Sequence, residues 1–148
     1  MVETILVPMD GSPLSKRALE TAVTEHPDAE IHVLHVIDPS EPGYSYPIDI
    51  DPDVEPVHGS SEWVTRGEEL AESLFDESRE LAAEHGAELT TVTRVGRPDR
   101  EIVDYVEEVG IDHIYLGSHG RGADARILLG SVTEAVAFRS PVRVSIIR

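Results

Sequence analysis

Tyr115-Leu-Gly-Ser-His-Gly120-Arg-Gly-Ala-Asp-Ala-Arg-Ile-Leu-Leu-Gly130-Ser-Val-Thr133 joins a short apolar run to a helix-like segment through a loop of glycines. Gly117 ends the run, Gly120 follows three residues later, and Gly130-Ser131 opens the helical stretch. Strand, glycine turn and helix in this order make one unit of an α/β protein. The same features suit an anion. Glycines let backbone N–H groups approach a phosphate with no Cβ in the way, and a helix N-terminus adds unpaired donors and about half a positive charge. Ser131 is expected to cap this helix or to offer its hydroxyl to a phosphate oxygen. Arg121 and Arg126 bring positive charge to a loop in a chain that has little of it.

Outward from this stretch the unit repeats. Thr4–Met9 is a continuous apolar run, as expected for a strand buried on both faces. Asp10-Gly11-Ser12 breaks it, and Ser12 followed by Pro13 reads as an N-cap and a proline at the first helical position. Leu14, Ala18 and Ala22 continue a helical stripe that His26-Pro27 stops. Ile31–Ile37 is a second buried run. From Glu62, Trp63, Leu70, Leu74, Phe75, Leu81 and Ala82 recur at helical spacing, with Gly86 as the stop. Leu89–Val95 is more polar and predicts a strand near a sheet edge. Gly96-Arg-Pro98 introduces a helix carrying Ile102, Val103, Val106 and Val109, ended by Gly110. His113–Leu116 is the fourth strand, Ser131 to about Arg139 the last helix, and Val142–Ile147 a fifth strand.

Between the second strand and the second helix, residues 38–61 hold five prolines and six acids without periodicity. Such a length without structure in a compact domain predicts a lid, a partner surface or a mobile loop. The alternation of strands and helices predicts one α/β domain over residues 1–148: a doubly wound, five-stranded parallel sheet with helices on both faces. If its order is 3-2-1-4-5, the strand order reverses between strands one and four. Ligands of such sheets sit beyond the carboxyl ends of the strands at that reversal. The turn Asp10-Gly11-Ser12 and the Gly117 loop would then flank one crevice.

Composition narrows the partners. The formal charge is −17, from 29 acidic against 12 basic residues, and Lys16 is the only lysine. A surface so acidic repels nucleic acid and anionic lipid. The acids are scattered, which favours adaptation to a salt-rich cytoplasm over one cationic partner. With no cysteine, disulfides, thiolate nucleophiles and cysteine metal sites are excluded. No apolar run approaches the ~20 residues of a membrane span, and the N-terminus enters a strand directly, so a cytoplasmic protein with no membrane contact is expected.

The spacing Gly117-x₂-Gly120-x₉-Gly130-Ser131 resembles the signature of the universal stress protein family in its ATP-binding branch. The resemblance runs along nearly the whole chain, through Ile5-Leu-Val-Pro-Met-Asp-Gly-Ser12, Val33-Leu-His-Val36, Gly96-x-Pro98, Leu128-Leu-Gly-Ser-Val132 and Pro141-Val142. It implies the 3-2-1-4-5 order of the adenine nucleotide alpha hydrolase-like fold, ATP (or ADP or AMP) bound with Mg²⁺ or Mn²⁺, and a homodimer. By position, Pro8 and Asp10 would border the nucleoside, with Asp10 accepting ribose hydroxyls, and Val36 would pack on adenine. Gly117, Gly120, Arg121, Gly130, Ser131 and Val132 would hold ribose and phosphates. Asp124 departs from the pattern by placing a negative charge inside the phosphate loop, where it must face solvent or help hold the metal.

Other chemistries fit less well. The chain lacks the Gly-Lys-Ser/Thr of a P-loop and a G-x-G-x-x-G fingerprint. A triad drawn from Ser12, His119 and Asp10 has no nucleophile elbow. His32 and His35 face opposite sides of a strand, so the histidines form no metal constellation. No catalytic residue is assigned, and the metal ligands are left open. The expected function is an ATP-binding module acting in stress response through nucleotide-dependent contacts. The alternatives are slow ATP hydrolysis or nucleotidyl transfer at the same site, and a dimeric scaffold whose glycines only turn the chain. In the assumed order the last strand, Val142–Ile147, is an edge with few charges, and pairing with its copy about a two-fold axis would cover it.

Overall fold

The computed structural model describes residues 2–38, 61–119 and 129–148. Their elements run β1 (Thr4–Pro8), α1 (Pro13–Glu25), β2 (Glu30–Ile37), α2 (Ser61–Glu84), β3 (Leu89–Val95), α3 (Pro98–Val109), β4 (His113–Gly117), α4 (Ser131–Arg139) and β5 (Arg143–Ile147). The strands form one parallel sheet in the order β3-β2-β1-β4-β5. That is the expected doubly wound order, with β1 central and the polar strand β3 at one edge.

Period-two alternation sorts the strand residues onto two cores. Ile5, Val7, Ile31, Val33 and Tyr115 pack with Ala18, Leu19 and Ala22 of α1 and Ala71, Leu74 and Phe75 of α2. Leu6, Leu34, Val36, Ile114 and Leu116 face the other way, onto Ile102, Tyr105 and Val106 of α3 and Val136 of α4. Both sheet faces are therefore covered, which is why β1, β2 and β4 read as unbroken apolar runs. At the end of β2, Ile37 packs with Trp63. Gly67 lets α2 come that close, since a Cβ there would lie 3.1 Å from Ile37 Cδ1.

The helix ends follow the turn chemistry of the sequence. Ser12 Oγ accepts the Ser15 N–H at 3.2 Å, with Pro13 opening α1. Gly110, at φ 83°, closes α3 in the left-handed conformation that its missing Cβ allows. Two expectations need correction. On α3 the buried stripe is Ile102, Tyr105 and Val106, while Val109 in the last turn is 44% exposed. At α4 the cap is Gly130, not Ser131. Gly130 has extended backbone and its carbonyl accepts the Glu134 N–H at 2.9 Å, so Ser131 is already helical and exposed. The long acidic segment, but for Asp38 and Ser61, lies outside the described residues. Ser61 begins α2, and among the described residues no helix is long and apolar enough to cross a membrane.

Candidate functional site

β1 and β4 are parallel neighbours, with Ile5 opposite His113 and Leu6 opposite Ile114. Their carboxyl ends therefore leave the same rim of the sheet at the point where the strand order reverses. Each end carries one of the two turns singled out by sequence.

At the end of β1, Pro8 is buried and the Met9 N–H donates to the Leu34 carbonyl at 2.9 Å. The Met9 carbonyl accepts from His35 Nδ1 at 2.8 Å, so that ring nitrogen carries the proton. Asp10 is only 5% exposed. Its Oδ1 accepts the Ser12 N–H at 2.9 Å, and Gly11 at φ 82° makes the turn between them. A carboxylate is thus held at the strand end, in a turn fixed by the cap of α1. Ser12 Oγ is engaged in that cap, which gives it a structural task rather than that of a nucleophile.

At the end of β4, Gly117 is pressed against α1. A Cβ on it would stand 3.0 Å from Leu14 Cβ and 3.2 Å from the Leu14 carbonyl carbon. Three hydrogen bonds then tie the strand end to its surroundings. The Ser118 N–H donates to the Ile147 carbonyl at 2.7 Å, and the Gly130 N–H donates to the Ser118 carbonyl at 2.7 Å. The buried Thr133 hydroxyl donates to the Gly117 carbonyl at 2.7 Å. Together they dock the first turn of α4 onto the end of β4. The first N–H groups of a helix lack acceptors within it and concentrate partial positive charge. Here they belong to Ser131, Val132 and Thr133.

The rim therefore unites Pro8, Asp10, Gly117, Gly130, Ser131 and Val132. Val36 lies two residues beyond Leu34, the partner of Pro8, and so also reaches this rim. Its side chain is fully buried in the core between the sheet and α3, so what it presents there is backbone. Gly120 and Arg121, with Asp124 and Arg126, lie outside the described residues. His119 is half-buried, with Nδ1 3.3 Å from Ser118 Oγ. Among the described residues, no group of three or more His, Cys, Asp or Glu side chains is arranged to hold a metal ion. Thr133 and Ser118 escaped the sequence reading. Their only signal is a pair of small hydroxyl residues flanking the glycine loop.

The chain matches the family model for the universal stress protein family over residues 1–148. Universal stress protein YxiE of Bacillus subtilis is 30% identical, covering 100% of both chains. Universal stress protein MJ0577 of Methanocaldococcus jannaschii is 33% identical over 100% of this chain and 96% of that one. Its solved structure matches with a TM-score of 0.81 at 31% identity, over 99% of this chain and 96% of that one. A universal stress protein solved in complex with cAMP matches at TM-score 0.68 and 26% identity, over 99% of this chain and 97% of that one. With the family model spanning every residue and the sheet order in place, the chain belongs to the universal stress protein family.

Proposed function

We propose that this rim binds an adenine nucleotide, ATP in the first place, and that the protein acts in the cytoplasm in stress response through nucleotide-dependent contacts. One observation carries the reading: the first turn of α4 is docked on β4, beside the turn that holds the Asp10 carboxylate at the end of β1. Helix amides suit phosphates, and a carboxylate at a strand end suits the vicinal hydroxyls of ribose. Pro8 and Val36 border the nucleoside in this reading. Gly117, Gly120, Arg121, Gly130, Ser131 and Val132 enclose ribose and phosphates. The cAMP complex of a relative supports the nucleotide class.

Mg²⁺ or Mn²⁺ enters with the nucleotide. Mg²⁺ is commonly held by one or two carboxylates together with substrate phosphates. In this reading the phosphates supply the metal's main ligands, and the Asp10 carboxylate stands at the same rim. The ion would neutralise phosphate charge, which an acidic chain needs. Among the described residues β5 pairs only with β4, and its other side is where we place a two-fold contact with a second copy.

Calorimetry with ATP–Mg²⁺ in molar salt tests the reading. Heat of binding and a rise in thermal stability are expected, and silence at millimolar ATP removes it. The packing of Gly117 on Leu14 favours a second reading, in which the glycine serves only close approach of α1 and the rim is a scaffold. Unchanged stability with every adenine nucleotide would select that one. Light scattering at micromolar protein in high salt tests the dimer, and a monomer there overturns it.

A further inference from the structure

β2 carries a histidine in an otherwise apolar layer. By period-two alternation His35 shares the α2 side of the sheet with Val33 and Ile37, and it is fully buried. An imidazole taken wholly out of water is costly unless it is hydrogen-bonded. One bond runs to the end of β1, where Nδ1 lies 2.8 Å from the Met9 carbonyl oxygen. A carbonyl only accepts, so Nδ1 carries the proton and donates. His35 and Met9 follow Leu34 and Pro8 in the β1–β2 register. The ring therefore reaches the backbone of its own cross-strand neighbour.

This bond completes the hold on Met9. The Met9 N–H donates to the Leu34 carbonyl at 2.9 Å. Its side chain is buried, with Sδ 3.5 Å from the Ser78 hydroxyl on α2. Two successive peptide planes, Pro8–Met9 through the N–H and Met9–Asp10 through the carbonyl, are thus pinned to β2. The second leads directly into Asp10. Beyond Asp10 the chain turns at Gly11, and Asp10 Oδ1 accepts the Ser12 N–H at 2.9 Å. Ser12 is tied in turn to α1, where its carbonyl accepts the Ser15 hydroxyl at 2.8 Å. The carboxylate is held from both directions along the chain, by a ring of β2 before it and by the cap of α1 after it. Asp10 Oδ2 has no hydrogen-bond partner among the described residues, and it is the oxygen left for a ligand.

We propose that His35 is a positioning residue for Asp10: it fixes the last peptide of β1 so that the carboxylate meets the vicinal hydroxyls of ribose. The role rests on the nucleotide reading above and adds to it a side chain that touches no ligand. One carboxylate serves two adjacent hydroxyls only when both lie within reach at once, and hydrogen bonds weaken steeply with misalignment. A small swing of the Met9–Asp10 peptide moves the carboxylate off one of them. Without the ring donor the Met9 carbonyl is left short of a partner, and the peptide turns to find another. The helix amides of Ser131, Val132 and Thr133, which take the phosphates in the same reading, belong to α4 and do not follow that swing. His35 therefore governs the sugar contact separately from the phosphate contact.

Calorimetry of ATP against 2′,3′-dideoxy-ATP, each with Mg²⁺, reads the sugar contact as a ratio of affinities. The wild-type protein is expected to prefer ATP by about tenfold or more. His35→Phe keeps a ring and loses the donor, and should lose most of that preference. Its affinity for the dideoxy nucleotide should stay within about threefold of wild type. Asparagine carries an N–H₂ at the position of Nδ1, and glutamine carries it one bond further out. His35→Asn is therefore expected to keep the preference and His35→Gln to lose it, and this pair decides if His35→Phe fails to fold. Hydrogen exchange at the Ser12 amide reads the Asp10 turn without a ligand. Its protection should fall about tenfold in His35→Phe relative to β4 amides, and recover in His35→Asn. A preference that survives in His35→Phe and His35→Gln overturns the positioning role and leaves the nucleotide reading standing. So does a fall shared equally by the two nucleotides, an unmoved Ser12 amide, or a wild-type protein that binds both nucleotides alike. A wild-type protein that binds neither overturns both.

Discussion

The Thr133 hydroxyl donates to the Gly117 carbonyl across 2.7 Å, joining the first turn of α4 to the last residue of β4. Sixteen positions separate the two residues, and most of the glycine loop lies between them. Thr133→Val keeps the shape and removes the donor, leaving a buried carbonyl short of a partner. The expected loss is about 1–3 kcal/mol, read from the urea midpoint at unchanged slope. Nucleotide affinity should fall with it, because α4 then loses its anchor.

Gly117 and Gly110 are required for different reasons, and substitution separates them. A Cβ at Gly117 meets Leu14 at 3.0 Å, whereas Gly110 has nothing within 4 Å but sits at φ 83°. Gly117→Ala should cost about 1–3 kcal/mol by overpacking, and Gly110→Ala about 1–2 kcal/mol by backbone strain. Asparagine distinguishes the causes, since it tolerates the left-handed region but is larger than alanine. Gly110→Asn is expected to be milder than Gly110→Ala, and Gly117→Asn worse than Gly117→Ala, in parallel denaturation curves.

Asp10 holds a turn through Oδ1, and in the proposed function it also receives the ribose. Asparagine keeps an accepting oxygen for the Ser12 N–H and drops the charge. Asp10→Asn should change stability by less than about 1 kcal/mol, since the two residues cap and turn alike. ATP affinity should fall roughly 10–100-fold, the worth of a hydrogen bond to a charged group. Calorimetry and thermal melts on the same sample separate the two effects.

Tyr115 titrates late. Burial, then its hydrogen bond to Glu25 and the charge of that carboxylate, push its hydroxyl up to about 12. A folded value above the unfolded one near 10 means that its contribution to stability is complete below pH 10 and lost as pH rises towards 12. Tyr115→Phe should flatten the alkaline limb of the stability curve. Ultraviolet titration of the four tyrosines should lose its latest component in the same variant.

The outer face of α2 exposes Glu62, Glu68, Glu69, Glu72, Asp76, Glu77, Glu80 and Glu84. Several are three or four apart, where like charges oppose the helix. Arg79 reaches Asp76 and Lys16 reaches Glu77, leaving a strong excess of negative charge. Raising KCl from tens of millimolar to molar should lift the melting temperature by roughly 5–10 °C, at about 2–4 °C per kcal/mol. Sodium and potassium should act alike if screening is the cause, and calorimetric scans in both salts check this.

Much of the architecture could be read along the chain, because each central strand is covered on both faces and so appears as a run such as Ile5-Leu-Val. Ser12-Pro13 and Gly110 marked helix ends by local chemistry alone. Local chemistry misled at α4. Ser131 is a better capping residue than Gly130, but the Gly130 N–H is drawn to the Ser118 carbonyl and shifts the helix start by one residue. Tyr105 was passed over beside Val103 and Val109, yet its hydroxyl meets the His32 ring at 2.6 Å inside the core. The contacts of Glu3 with His26, His113 and Arg143 could not be read at all, since the four residues lie far apart in the chain. At the candidate site, sequence placed Asp10 and Gly117 on one rim through the strand order. The docking by Thr133, and the contact of Gly117 with Leu14, depended on packing that no spacing encodes.

Because β1 lies between β2 and β4, it receives its second neighbour only when His113–Gly117 has emerged. A nascent chain that stops at Gly110 holds β1 with one flank of amides and carbonyls open, an adhesive edge of Ile5, Leu6 and Val7. Translation pauses before residue 113 would prolong that vulnerable interval. The rim that unites Asp10 and Gly117 can assemble only once β4 has joined β1.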